Sequence, residues 1–531
     1  MRTLSKKSIF LLFLSCLFYA AYALIIIASI YFNASIVVVA GSNKDLNAIV
    51  SNILIRFTLF VLSYLCIAIV HKVKTKFLSN AEVELKDKLM RSIMSRSYAD
   101  FKKKESSYYI NLLLTDTDTY RDEYLNAIPA MVNSAVTLLA AAYMLFRFHP
   151  LLLLLGVVMS VVTMFAVQPF SNVLGKKTEK FSEESEGYNR FLKEVIDGYE
   201  TIKINEADSG FVKNYKKFSE NKQNAWGSLN FLRRLSFETF MSAAGLSAIV
   251  AVAVGAYLVY QGYFEAAWIL AIISYFTSLS NQISNLSSQI VDFKASKTIE
   301  KKLFDELSVP SVERSGKKLD FNKGISVNNL TFSYGDRKIF DNASFEFEPG
   351  KCYAIVGESG SGKSTLVKLL LKYYDDYSGQ ISLEGQELKE LSNVDIYENI
   401  GLVNQSPLMF NASLEDNINL YKEDRSRYDE IIKRTNLEKL SSMIGDQNVG
   451  SFGEKISGGE KQRINIARIL TKDADIIIFD EPTTGLDPQN KKMIDELIFG
   501  LEGKTRIVIT HDWNREYLDR FDKVYEIGER A

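Results

Sequence analysis

Three things are scarce in this 531-residue chain: cysteine, net charge, and acidic residues within its longest apolar stretches. Its three cysteines, Cys16, Cys66 and Cys352, stand far apart, which excludes a disulfide framework and suits small buried hydrophobes. A formal net charge of −1 carries no bulk basic signal, so no nucleic-acid partner is expected. Proline is missing from residues 81–95 and 211–223, whose charged and apolar residues recur at helical spacing. What is present divides the chain in two. The length predicts two or three domains; the first 300 residues carry long apolar runs, and the remainder alternates strands, turns and helices.

Six apolar segments are long enough to cross about 30 Å of hydrocarbon as helices: 8–40, 48–70, 128–148, 151–170, 237–260 and 266–291. The first is much longer than the apolar core of a secretory signal and has no small-residue cleavage site, so it reads as a retained helix. Lysines and arginines gather before the first segment and in two long connections, 71–127 and 171–236, which places both termini and these connections in the cytoplasm. The simplest arrangement continues the membrane helices into the cytoplasm and turns each connection near 98–109 and 205–211. The fold expected is a membrane α-helical bundle of six long helices extending into the cytoplasm, fused to a soluble α/β P-loop domain. The divisions are 1–300 for the membrane part, 301–321 for a charged linker and 322–531 for the soluble part.

In the sixth segment Thr277, Asn281, Ser284 and Ser288 recur on one helical face, which suits the wall of a polar or substrate-filled cavity; hydrogen bonding between helices is the other reading. Arg56 and Glu238 are ionisable residues in or near membrane segments, where charge is costly and usually faces protein or water. Arg56 either touches substrate or snorkels to the outer surface; Glu238 sits at an interface.

The soluble part is organised around Gly357-Glu358-Ser359-Gly360-Ser361-Gly362-Lys363-Ser364-Thr365, between an apolar strand and a helix. This is a phosphate loop: glycines let backbone N–H groups close on phosphates, Lys363 reaches the β/γ-phosphates and the Ser364 hydroxyl binds Mg²⁺. Other residues fall around it in order. Tyr334 offers a ring to stack on adenine, and Gln405 an amide at a strand edge. Ser457, Gly458 and Gly459 open a helix with further free N–H donors. Asp480 ends an apolar strand, suited to Mg²⁺ through water, and Glu481 follows it, placed to orient an attacking water. His511 ends another strand, within reach of a γ-phosphate. Each alone has an ordinary alternative, such as a packed aromatic, a turn or a helix cap; the order and spacing together do not.

Over essentially its whole length the sequence resembles an ATP-binding cassette (ABC) transporter, a half-transporter of the exporter type. The resemblance implies an ABC-type cassette that hydrolyses ATP with Mg²⁺, with Lys363, Gln405, Glu481 and His511 as its catalytic set. Tyr334 matches the adenine-stacking aromatic, Gly357–Thr365 the Walker A loop, Gln405 the Q-loop residue that senses Mg²⁺, Asp480 the Walker B aspartate and Asp487 the D-loop aspartate. Ser457, Gly458 and Gly459 match the signature, which reads Ile-Ser-Gly-Gly-Glu where Leu-Ser-Gly-Gly-Gln is commonest. No cysteine-peptidase domain precedes the first helix, so leader-peptide cleavage is not expected. In such proteins one chain's signature closes over another's phosphate loop, which implies a homodimer in the lipid bilayer, with a heterodimer as the alternative. The implied cargo is a small peptide or amphipathic natural product moved outward across a bacterial inner membrane. A flippase, a multidrug pump, an importer and a membrane-tethered sensor ATPase remain open.

Overall fold

A computed structural model describes residues 4–42, 46–309, 323–445, 447–450 and 453–528. The chain forms two compact units. Residues Met1–Met90 with Ser107–Ser308 make the first; Arg91–Ser106 with Val309–Ala531 make the second. Most of the expected linker falls in 310–322, outside the described residues, and its first residues end a helix instead.

The first unit is built from long helices: α1 (Lys6–Ser42), α2 (Leu46–Met94), α4 (Ser106–Phe148), α5 (Pro150–Asp197), α7 (Asp208–Tyr260) and α8 (Ile269–Leu307). The short helices α3 (Tyr98–Lys102) and α6 (Tyr199–Ile204) mark the turns expected near 98–109 and 205–211. At 49 residues α2 is about 74 Å long, more than twice the hydrocarbon thickness, so its polar C-terminal half runs beyond any bilayer. Two π-helical turns, Leu112–Asp116 and Tyr120–Leu125, interrupt α4.

Among the described residues five helices are long and apolar enough to cross a membrane: α1, α2, α4, α5 and α7. The sixth expected span, α8, falls below that apolarity because serine, threonine and asparagine recur along it. It nevertheless belongs to the bundle's core. Ile272, Tyr275, Phe276 and Leu279 of α8 are fully buried against Ile27 and Ala34 of α1, Ala141 and Leu145 of α4 and Leu258 of α7. The Tyr275 hydroxyl reaches the Ile27 carbonyl at 3.3 Å.

The second unit holds two sheets. An antiparallel sheet runs β2–β1–β4–β5, made of β1 (Ile325–Tyr334), β2 (Arg337–Phe347), β4 (Ser378–Leu383) and β5 (Gln386–Glu387). A parallel sheet runs β6–β7–β8–β3–β9, made of β3 (Cys352–Val356), β6 (Ile400–Val403), β7 (Ile476–Asp480), β8 (Thr505–Thr510) and β9 (Lys523–Glu526). Strands buried on both faces need continuous apolar runs, and β3 and residues 476–479 of β7 have them. Alternate residues serve two cores: Tyr353 and Ile355 pack toward the antiparallel sheet, while Cys352 and Ala354 pack toward a helical layer.

Within this second unit Ser97 caps α3, its hydroxyl accepting from the Asp100 N–H at 3.0 Å. Tyr98 stacks on Tyr373 with ring centroids 3.8 Å apart. Removing such a stack costs about 1 kcal/mol. Tyr98→Ala is therefore expected to speed amide hydrogen exchange in residues 98–103 by about fivefold, with Tyr98→Phe unchanged. Equal exchange in all three proteins would show that the stack does not hold the segment.

Candidate functional site

The phosphate loop leaves the C-terminal edge of β3, which is flanked by β8 and the edge strand β9, and enters helix α9 (Lys363–Leu370). Gly362 caps that helix at φ +109°, in the left-handed region, and a Cβ there would lie 2.7 Å from Ile339. The loop lines a 360 Å³ cavity with Tyr334, Arg337 and Ile339 on one side and Glu481 and His511 on another; Ser359, Gly360, Gly362, Lys363, Ser364 and Thr365 form its floor.

Lys363 is almost wholly buried and its ammonium donates to the carbonyls of Gly357 (2.8 Å) and Glu358 (2.7 Å). Burial pushes this lysine below its usual range, and the nearby Glu481 and Asp480 carboxylates pull it back up. Ser361 N–H closes the turn on the Glu358 carbonyl at 3.2 Å. Tyr334 ends β1, and its ring meets Tyr374 edge-on at 5.5 Å, which leaves it at the cavity rim.

Glu481 is the most constrained residue here. It follows β7 with φ +49°, unusual for a side chain of its size, and its N–H is tied to the Ile509 carbonyl at 3.1 Å. One carboxylate oxygen meets His511 Nε2 at 2.7 Å. The other accepts from Gln405 Nε2 at 2.8 Å and from the Thr484 hydroxyl at 3.2 Å. His511 Nδ1 in turn lies 3.1 Å from the Gly357 carbonyl, an acceptor only, so Nδ1 donates. Gln405 is steadied by Gln462, whose amide donates to the Gln405 carbonyl at 2.7 Å. Asp480, one residue before, is pushed above the ordinary aspartate range by burial and by Glu481, against the pull of Lys368, Lys363 and His511.

Ser457, Gly458, Gly459 and Asp487 lie elsewhere. Ser457 caps helix α10 (Gly458–Lys472) in a capping box: its hydroxyl and its N–H both bond the Glu460 carboxylate, at 2.8 and 2.7 Å. Asp487 caps helix α11 (Pro488–Phe499), accepting from Gln489 and Asn490 N–H at 3.1 Å each. Asn490 joins the two helices through Arg463 at 2.9 Å, and a Cβ on Gly459 would come within 2.6 Å of it. None of the four lines the phosphate-loop cavity of the same chain.

The donors suit a nucleoside triphosphate: a buried ammonium, the free first-turn N–H groups of α9 and the hydroxyls of Ser359, Ser364 and Thr365 around a cleft with an aromatic rim. Among the described residues no group of three or more His, Cys, Asp or Glu could hold a metal by itself. Ser364, Asp480 and Gln405 carry oxygens that would join phosphates and water around a Mg²⁺ ion.

In the membrane unit Ser284 and Ser288 line a 510 Å³ cavity together with Ser280 of α8, Ser160 and Thr163 of α5 and Phe240 of α7. The Ser160 and Ser280 hydroxyls meet at 3.2 Å. Thr277 lies one turn beyond this cavity, with its hydroxyl bonded back to the Ile273 carbonyl at 2.9 Å; Asn281 sits about 100° round the helix from Ser280. Arg56 is in a different place, a pocket between α1 and α2. Ser160, Thr163, Ser280 and Arg337 were not singled out from the sequence. Ser160 and Thr163 are hydroxyls in an apolar run, Ser280 stands beside the polar stripe and not on it, and only the pairing of α5 with α8 gives the three a common cavity. Arg337 did carry a signal, three residues after Tyr334.

The architecture and site define an ABC transporter. A family profile for the ABC transporter transmembrane region matches residues 12–283, and one for the ABC transporter cassette matches residues 340–484; the chain belongs to this family. It is 34% identical over 272 residues to ABC transporter B family member 21 of Arabidopsis thaliana, a match covering 48% of this chain and 21% of that protein. It is 24% identical over 441 residues to the ATP-dependent lipid A-core flippase of Syntrophus aciditrophicus, covering 81% of this chain and 73% of the flippase. Its fold matches the structure of a bacterial Atm1-family ABC exporter with ATP bound at a TM-score of 0.82 and 20% identity, over 98% of this chain and 93% of the other.

Proposed function

We propose that this chain is an ATP-driven exporter that works as a homodimer and moves a small peptide or amphipathic natural product out of the cytoplasm. The observation that carries the reading is the carboxylate of Glu481, held by Gln405 and His511 beside the phosphate-loop cavity. ATP hydrolysis needs a group that orients water against the γ-phosphate, and a fixed carboxylate serves. Lys363 neutralises phosphate charge, and Ser364, Asp480 and Gln405 are the residues that would hold Mg²⁺, whose charge offsets that of the phosphates. Tyr334 holds the adenine. Ser457, Gly458, Gly459 and Asp487, which stand outside their own chain's cavity, are free to close over the nucleotide of a second copy. Two copies then bind two nucleotides between them, and hydrolysis separates the pair.

The hydroxyl-lined cavity of α5, α7 and α8 supports the amphipathic cargo, since it offers hydrogen bonds within an apolar wall. The lysine-rich connections support a cassette on the cytoplasmic side, and the composition, rich in Ile, Lys and Asn, supports a bacterial inner membrane. A lipid cargo is the second reading, favoured by the similarity to a lipid A-core flippase over most of the chain.

The test compares matched host cells carrying the wild type or Glu481→Gln, with spent medium and cell extracts read by untargeted mass spectrometry. A peptide or amphiphile outside with the wild type and retained inside with the variant is expected. The opposite shift would mean import, and a difference confined to lipid extracts would mean flipping.

A further inference from the structure

The one cation in the expected membrane-spanning part of α2 is Arg56, ten residues in from the helix start at Leu46, or about 15 Å along the helix. Asn33 lies nine residues before the end of α1, at a matching depth. Arg56 Nε donates to Asn33 Oδ1 at 2.6 Å, so the side chain reaches sideways to α1 and does not snorkel toward the outer surface. An arginine within a membrane span pairs with a carboxylate or with carbonyl oxygens, or faces a cavity that holds water or a ligand. Here α1 contains no Asp or Glu, and the first acidic residue of α2 is Glu82, 26 residues further on. Among the described residues no carboxylate pairs with Arg56.

The guanidinium instead faces a 420 Å³ pocket between the two helices. Its walls are of two kinds. Ser29, Ser63 and Tyr64 bring hydroxyls, whereas Ile26, Ile30 and Phe60 bring apolar surface. The cavity of α5, α7 and α8 has hydroxyls and an amide but no charged side chain. A site with a cation at one place and an apolar wall beside it recognises a molecule with an anionic head and an apolar body.

We infer that the pocket between α1 and α2 binds the carboxylate or phosphate head of an anionic amphiphile, with Arg56 as its counter-ion and Asn33 holding Arg56 in place. This rests on the reading of the chain as a transporter of amphipathic molecules and adds the charge of the cargo. The guanidinium's fork of N–H donors matches either head group.

The test measures binding without ATP, so a failure to export and a failure to bind are separate results. The full chain is placed in phosphatidylcholine nanodiscs and titrated with radiolabelled dodecyl phosphate, with dodecanol and dodecyltrimethylammonium as competitors. Saturable binding that neither competitor displaces is expected. Arg56→Gln should weaken it by about tenfold or more, and Arg56→Lys, which keeps the charge, by about threefold. Equal displacement by dodecanol, seen in the wild type alone, would overturn the inference whatever the variants do. So would unchanged affinity in a folded Arg56→Gln protein. Discs containing phosphatidylglycerol distinguish the source: displacement of the probe identifies a resident lipid as occupant, and retained binding identifies a free amphiphile, each of them an anion in the Arg56 pocket.

Discussion

Glu481→Gln is expected to leave ATP binding intact and to slow hydrolysis by about 10²–10³-fold. The two side chains have the same shape, so the Gln405 and Thr484 contacts and the Ile509 backbone tie can persist. What changes is charge. An amide neither accepts a proton nor draws one from an attacking water, and the bond to His511 loses its anionic partner. The groups assigned to the phosphates, Lys363, Ser364 and Thr365, are untouched, so affinity stays near that of the wild type. Single-turnover hydrolysis beside equilibrium nucleotide binding separates the two effects. Turnover near the wild-type rate would remove Glu481 from the role proposed for it.

Lys363→Ala is expected to act on the other quantity, weakening ATP binding by about 10- to 100-fold, the loss that follows removal of a charged donor from a phosphate. Only 5% of Lys363 is exposed, so its ammonium is already positioned within the loop by the Gly357 and Glu358 carbonyls. Alanine removes the charge and takes one donor from each carbonyl, leaving His511 Nδ1 on Gly357 and the Ser361 N–H on Glu358, which loosens the cradle as well. Lys368→Ala, on the exposed side of the same helix, is the control for a general change of charge and should bind ATP like the wild type. Fluorescent-nucleotide titration reads both. Wild-type affinity in Lys363→Ala would place the phosphates elsewhere.

The cassette was legible in the sequence because its chemistry is local. A phosphate loop needs a strand before it, glycines within it and a helix after it, and Cys352–Leu370 holds all three in one run. Long membrane helices are legible for a related reason, since a span of apolar residues has no other use. What one helix does with its neighbour is harder to read. Thr277, Asn281, Ser284 and Ser288 lie on one face of α8, yet only the last two reach its cavity, because α5 crosses there and supplies Ser160 and Thr163. Arg56 reads from the sequence as an ionisable residue that either touches substrate or snorkels, and only the side chains of α1 and α2 together show that it has a pocket of its own. The hydrogen bonds around Glu481 come from residues 76 positions before it and 30 after it, a closeness that only the parallel sheet creates.

The left-handed backbone at Glu481 also bears on how the protein would respond to directed evolution. Holding a long side chain at φ +49° costs on the order of 1 kcal/mol that asparagine or glycine would largely avoid. A library screened only for heat resistance should therefore enrich asparagine and glycine at this position. Those clones would survive heating better and turn over ATP far more slowly, so a stability screen would select against the motor unless activity were selected alongside it.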